Sequence, residues 1–263
     1  MFEGLYIAAT GMQAQQLSVD TVANNLANVN TPAFKRGRVT FTDLMLQDAA
    51  ARQVAGTGEA GLLASAPPLG AGVGIASVGK VFEAGEMRQT GSPLDLAIRG
   101  DGFLAVTLPD GTTGYTRSGS LRVNADGLLV TEAGYPLQPG ITVPADATGI
   151  AIDAEGTVQL TLPNQQQPLT AGRLELVRFT NPAGLTALGN NVYTASETSG
   201  EAIAARPGED GVGGLAQGYL EGSNVKLVDE MVNLMVAQRA YEANVKVIQA
   251  ADEMLGLVNG LRK

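Results

Sequence analysis

Apolar residues recur at helical spacing near both ends of this chain and not between them, which sharply limits the folds open to it. Residues 4–29 contain no proline, and Leu5, Met12, Val19 and Leu26 fall seven apart, with Ala8, Val22 and Val29 at intervening positions. Gln15 interrupts the stripe. Gly11 lies inside it and costs about 1 kcal/mol relative to alanine, so this helix is marginal on its own. Thr31 and Pro32 are its stop signal. The far end repeats the pattern: Leu227, Met231, Leu234, Tyr241, Val245, Ile248 and Leu255 keep a three/four spacing, with Gln238 and Asp252 as polar interruptions. Ser223 or Asn224 is the expected N-cap, and Asp229 and Glu230 sit near the positive helix end. About 35 residues of helix would run roughly 50 Å at 1.5 Å per residue. Val228, Val232 and Met235 widen the apolar surface beyond a two-helix seam, so the spacing predicts burial against more than one neighbour.

The middle reads differently. Residues 55–79 are rich in Gly, Ala, Ser and Pro (Gly56, Gly58, Gly61, Pro67, Pro68, Gly70, Gly72, Gly74) and read as an extended linker or loop. From about Lys80 to Leu220, short apolar segments alternate with the tight-turn dipeptides Asp101-Gly102, Asp110-Gly111 and Asp126-Gly127. Residues 103–106, 128–130, 157–160 and 174–177 are the clearest strands. A helix of this length cannot bury a two-sided apolar stripe on a small β body. Pairing the two ends would cover one side, and other copies of the chain are the obvious cover for the rest.

Hydrophobic residues make up 44% of the 263, enough for a true core, but aromatics are 5% and tryptophan is absent. The core is therefore expected to be mostly Val, Leu, Ile, Ala and Met. A formal charge of −9 argues against nucleic acid or an anionic membrane as the main partner, since both require a dense positive surface. Cysteine and histidine are both absent, which excludes disulfides, Cys/His zinc sites and any Ser-His-Asp relay. The opening Met1-Phe2-Glu3-Gly4 lacks a positive, then continuously apolar, leader, and no run of about 18 apolar residues is present, so neither a cleavable signal nor membrane insertion is expected.

Chemical motifs are weak. Gly56 to Gly61 fits G-x-G-x-x-G but follows no buried strand, and Pro67-Pro68 forbids the helix it needs. Ser77-Val78-Gly79-Lys80 fits S-x-x-K without the helix or companion motifs of that chemistry. Asn124-Ala125-Asp126-Gly127 could offer oxygen ligands to calcium but reads better as a plain turn. The basic cluster Lys35-Arg36-Gly37-Arg38 reads as a solvated strand start or a salt-bridging contact to a neighbouring subunit. No catalytic residue, cofactor or metal is expected. A carboxylate pair remote in sequence, or a monomeric β-rich binding protein, are the competing classes.

One stretch carries more information than composition does. Asn24, Asn25, Leu26, Ala27, Asn28, Asn30, Thr31, Phe34 and Lys35, within the run from Ala23 to Arg36, resemble the signature of the bacterial flagellar rod and hook protein family. The opening Leu5 to Leu17, Phe41 to Leu44, Asp95 to Phe103, Tyr115 to Ser120, Glu221 to Val225 and Gln238 to Glu242 carry the same resemblance along nearly the whole chain. Length and opening are most similar to the distal-rod members, with the long proximal rod proteins next. Ala33 departs from the pattern, standing where the family usually has glycine.

The resemblance implies an α+β fold, with long N- and C-terminal α-helices forming a coiled-coil-like bundle and an all-β middle domain. The expected division is 1–31 with 223–263 as a helical assembly domain, 32–95 with about 200–222 as an extended connecting region, and 96–200 as a β-rich outer domain. It further implies a structural subunit of a hollow helical homopolymer in the periplasm, exported without a cleavable signal through the flagellar export apparatus. Its partners would be copies of itself, proximal rod proteins, the hook protein, and the surrounding peptidoglycan and outer-membrane ring proteins. Residues 45–79 would pack against adjacent subunits.

Overall fold

The proline-free ends do form helices. A computed structural model describes residues 2–45, 70–163 and 167–260; helix α1 spans Phe2–Ala27 and helix α2 spans Leu227–Gly260. None of the described helices is long and apolar enough to cross a membrane. The Gly-x-Gly-x-x-Gly stretch, Pro67 and Pro68 lie outside the described residues. The chain folds as two compact units.

The first unit comprises residues 1–26, 37–79 and 227–263, and so holds both helices. Strand β1, Gly37–Met45, pairs with β2, Gly70–Lys80, as a two-stranded ribbon. The reading of residues 55–79 as a linker is therefore corrected for Gly70–Gly79. Those glycines are there for close approach: a Cβ at Gly72 would overlap the Thr10 hydroxyl of α1, and one at Gly74 would crowd Leu44 of β1. Ser77 and Lys80 of the S-x-x-K match accordingly sit in a strand.

α1 and α2 run antiparallel. Asn25 hydrogen-bonds Glu230, and fourteen residues back along α1 a Cβ at Gly11 would lie 2.8 Å from Asn244 Nδ2, fourteen residues on along α2. Gly11, a cost to the isolated helix, thus admits the Asn244 side chain. The expected N-cap is corrected: α2 starts at Leu227, and the Asn224 carboxamide is engaged elsewhere, accepting from Arg36 N and donating to Val81 O.

The second unit comprises residues 27–36 and 80–226 and is β throughout, apart from one 3-10 turn at Pro182–Gly184. Its main sheet has seven strands. Six lie in the antiparallel order Thr186–Gly189, Val192–Thr194, Thr113–Thr116, Phe103–Thr107, Leu176–Arg178, Ile203–Ala205, while Leu137–Gln138 also pairs with Phe103–Thr107. A smaller meander of Gly149–Ile152, Thr157–Thr161 and Leu169–Arg173 adjoins it in sequence.

Strand Phe103–Thr107 shows why its sequence is continuously apolar: successive side chains point to opposite faces, and both faces are covered. Leu104 and Val106 enter an aliphatic core with Leu96, Leu129, Leu137, Val158, Leu160 and Leu176. Phe103 and Ala105 enter a second core with Tyr115, Val177, Phe179 and Tyr193. Five of the twelve aromatics gather there, and Phe82, Phe103, Tyr115, Phe179 and Tyr193 make edge-to-face contacts. Burial pushes the Tyr193 hydroxyl up to about 12.

The segment after α1 turns sharply, and Ala33 adopts the left-handed conformation at φ 57° while almost wholly buried. For an L-residue this costs about 1–2 kcal/mol. Glycine would relieve that strain, but would surrender a buried methyl worth about 0.8 kcal/mol and add about 0.4–1 kcal/mol of unfolded-state entropy. The opposing effects nearly cancel, so Ala33→Gly is expected to change stability by less than about 1 kcal/mol. Ala33→Val places a β-branched residue in the same conformation and should cost at least about 2 kcal/mol. Urea unfolding of the two variants checks the contrast.

Candidate assembly site

In the second unit, three segments remote in sequence meet at one carboxylate. Glu221 Oε1 accepts from Lys35 Nζ at 2.6 Å and from Gly85 N at 2.8 Å, while its Oε2 accepts from Arg117 Nε at 2.8 Å. Lys35 is 0% exposed, and Glu221 and Arg117 are each 3% exposed. Every charged group here has further partners. Lys35 Nζ donates to Glu83 O at 2.6 Å, and Arg117 donates to Gly102 O at 3.0 Å and Gly100 O at 2.9 Å. The reading of Lys35 as solvated or as a contact to a neighbouring subunit is corrected: its partner is in the same chain, and burial is complete. Arg36 does form an exposed pair with Glu83, at 3.5 Å, worth at most about 1 kcal/mol.

This cluster accounts for motifs that look unrelated along the chain. Gly100 and Gly102, at φ 115° and 139°, turn their carbonyls onto the Arg117 guanidinium. In the motif from Tyr115 to Ser120, a Cβ at Gly119 would overlap the Leu96 carbonyl oxygen. Ala33 N donates to Glu221 O at 2.8 Å. Asn224 and Val81 both bond the Arg36 backbone, and Lys80 Nζ donates to Lys35 O, so the points where the chain enters and leaves this unit are tied together. Asn124 Oδ1 accepts from Asp126 N and Leu128 N, a closed turn in which the side chain replaces backbone partners.

Burial works against the Glu221 carboxylate, but Arg117 and then Lys35 outweigh it and hold its pKa below the ordinary glutamate range. Burial likewise lowers the Lys35 pKa, against the pull of Glu221.

The first unit presents the other candidate feature. On α2, Glu230, Ala237 and Ala251 are buried and Asn244 half-buried, seven residues apart. At about 100° per residue, Val228, Val232, Met235 and Leu257 lie on the opposite side and Val236, Val247 and Met254 on one flank, and all are exposed, Val228 at 71%. Of the residues expected at the seam, Leu5, Met12, Val19, Leu26, Leu234, Val245, Ile248 and Leu255 are half-buried, while Leu227, Met231 and Tyr241 are exposed. Of the signature, Asn25, Phe34 and Lys35 are buried; Leu26, Asn28 and Thr31 are half-buried; Asn24, Ala27 and Asn30 are exposed. Large apolar side chains do not mark the buried line on α2, because it consists of small and polar residues. Its seven-residue repeat was the available signal.

Replacing Glu221 by Leu strands two buried cations and should destabilise the second unit by about 3–5 kcal/mol. Lys35→Met leaves Glu221 paired with Arg117 and should cost clearly less; equal losses in urea unfolding would contradict the ordering. Because the folded-state pKa of Glu221 lies below its unfolded value, its contribution is complete at neutral pH. It is lost as pH falls below the ordinary glutamate range, and Glu221→Gln should flatten that acid limb of the stability profile.

Three family models match in order along the chain: flagella basal body rod protein over residues 5–35, flagellar hook protein FlgE/F/G D1 domain over 97–160, and flagellar basal body rod FlgEFG protein C-terminal over 216–261. The flagellar basal-body rod protein FlgG of Caulobacter vibrioides is 45% identical over 99% of both chains. That of Borreliella burgdorferi is 45% identical, and that of Bacillus subtilis 37%, each over the whole of both chains. The first and third matched segments bring Lys35 and Glu221 to the same buried cluster, and by these full-length relationships the chain belongs to the FlgG family of flagellar basal-body rod proteins.

Proposed function

We propose that the chain is a structural subunit of the distal part of the flagellar rod, polymerising with copies of itself through its terminal helices into a hollow shaft that carries torque from motor to hook. The observation that carries this reading is the two-sided helix α2. One side meets α1, and the opposite side leaves Val228, Val232, Met235 and Leu257 in solvent, with Val236, Val247 and Met254 also exposed on one flank. Other copies supply the cover. In the assembled state the helices form a coiled-coil-like bundle that resists twist. Folding of the helical ends and assembly then draw on the same buried area.

The proposed partners are the proximal rod proteins, the hook protein, the surrounding peptidoglycan and outer-membrane ring proteins, and the flagellar export apparatus, with a periplasmic rod as the location. The role is mechanical rather than catalytic. Residues 45–79 are the proposed contact to adjacent subunits.

Val232→Asp and Met235→Asp place charges on the bare side of α2 without touching either buried cluster. Each is expected to abolish polymerisation while the circular dichroism of the β unit is unchanged; polymers of normal length from both variants would exclude this face as the assembly surface. Wild-type chain should gain helical signal on polymerising, and a dilute monomer already at full helicity would contradict coupled folding.

A further inference from the structure

Along the line where α1 and α2 meet, small and polar residues pack closely but select poorly, and the larger residues beside it on α2, Leu234, Tyr241, Ile248 and Leu255, also recur every seven residues. Gly11, Ser18 and Asn25 fall seven apart on α1, and Asn244, Ala237 and Glu230 fall seven apart on α2. Contacts at the two ends of this line are direct, Asn25 with Glu230 and Gly11 with Asn244, which sets Ser18 opposite Ala237. Small side chains let two helices approach, yet a slide of α2 by one seven-residue repeat would again lay small residues over small residues. Shape alone therefore leaves several registers close in energy.

One pair separates them. Asn25 Nδ2 donates to Glu230 Oε2 at 3.2 Å, and the two residues are 1% and 3% exposed. Asn25 cannot turn to follow a slide. Its Oδ1 accepts from Gly37 N at 2.7 Å, and its Nδ2 also donates to Gly37 O at 3.0 Å, so the start of β1 fixes the carboxamide. A slide in one direction brings Ala237, which has no acceptor on its side chain, beneath Asn25 and carries Glu230 beyond it. A slide in the other brings Glu230 beneath Ser18 and leaves Asn25 facing Ser223, before α2 begins. Either way a buried polar group loses its partner, a cost that close packing of alanines does not repay.

We propose that the Asn25–Glu230 hydrogen bond is the register determinant of the terminal helix pair, fixing α2 against α1 within one chain. Both residues belong to the same chain, so the assignment does not depend on polymerisation.

The chain has no cysteine, so introduced thiols report register cleanly. Two full-length cysteine pairs are compared: Ser18→Cys with Ala237→Cys for the observed register, and Ser18→Cys with Asn244→Cys for a slide of one repeat. With Glu230 present, oxidation should join only the first pair within one chain. Glu230→Ala makes position 230 equivalent to 237, and the offset pair should then form at a rate within about threefold of the first. Glu230→Gln keeps an acceptor and should retain the single register. The proposal is overturned if the Glu230→Ala chain still joins only the first pair, if Glu230→Gln already admits the offset pair, or if Glu230→Ala abolishes both, which would make the bond a general stabiliser. Chains that do not polymerise but give the expected crosslinks would overturn the assembly reading and leave this one standing.

Discussion

A single carboxylate, Glu221, holds the β unit closed. Two cations converge on it from segments far away in sequence, one following α1 and one in the middle of the β region, and none of the three is accessible to water. Taking such charges out of water is costly, and the cost is met only because every donor and acceptor finds a partner of good geometry. Well-packed apolar residues of the same shape often serve stability equally well. What the charges add is selectivity. A wrong approach of the segment before α2 would leave Lys35 and Arg117 buried without a counter-charge, and no such arrangement can compete with the native one.

The helical unit solves a different problem with similar means. Along the line where they meet, its two helices present mostly small and polar residues, with half-buried Leu234, Val245, Ile248 and Leu255 beside that line, while Val228, Val232, Met235 and Leu257 on the side away from α1 are exposed. A domain optimised to exist alone would do the reverse, spending its valines and methionines on the internal contact. The inversion suits a subunit whose large apolar contacts are made to other copies, and it explains why the internal contact relies on a hydrogen bond such as Asn25 with Glu230 for its alignment.

Much of this is legible in the residues. The two helices followed from periodicity, though α1 ends at Ala27, ahead of the Thr31-Pro32 stop, and α2 begins at Leu227, and the strand at Phe103–Thr107 followed from its apolar run. Asp-Gly turns appear where expected, with Gly102, Gly111 and Gly127 all at positive φ. Other readings failed for identifiable reasons. Gly70–Lys80 looks like a linker because glycine weakens a strand, yet here glycine is required by the approach of Thr10 and Leu44. Lys35 looks solvated because it sits in a basic run, and nothing local shows that Glu221 and Arg117 will enclose it. Asn224 looks like a helix cap, but its carboxamide is engaged by Arg36 and Val81 before the helix starts.

By itself the sequence determined the kinds of element, their order, the family, and the presence of more apolar helical surface than one partner could cover. These properties are local: spacing, turn chemistry and propensity act within about a dozen residues. Only the tertiary structure decided which side of α2 meets α1, which charges are buried together, and that Ala33 is held in a left-handed conformation. Lys35 and Glu221 are separated by 186 residues, and Asn25 and Glu230 by 205. Contacts across such distances depend on how all the intervening strands pack, so no short window of residues contains them.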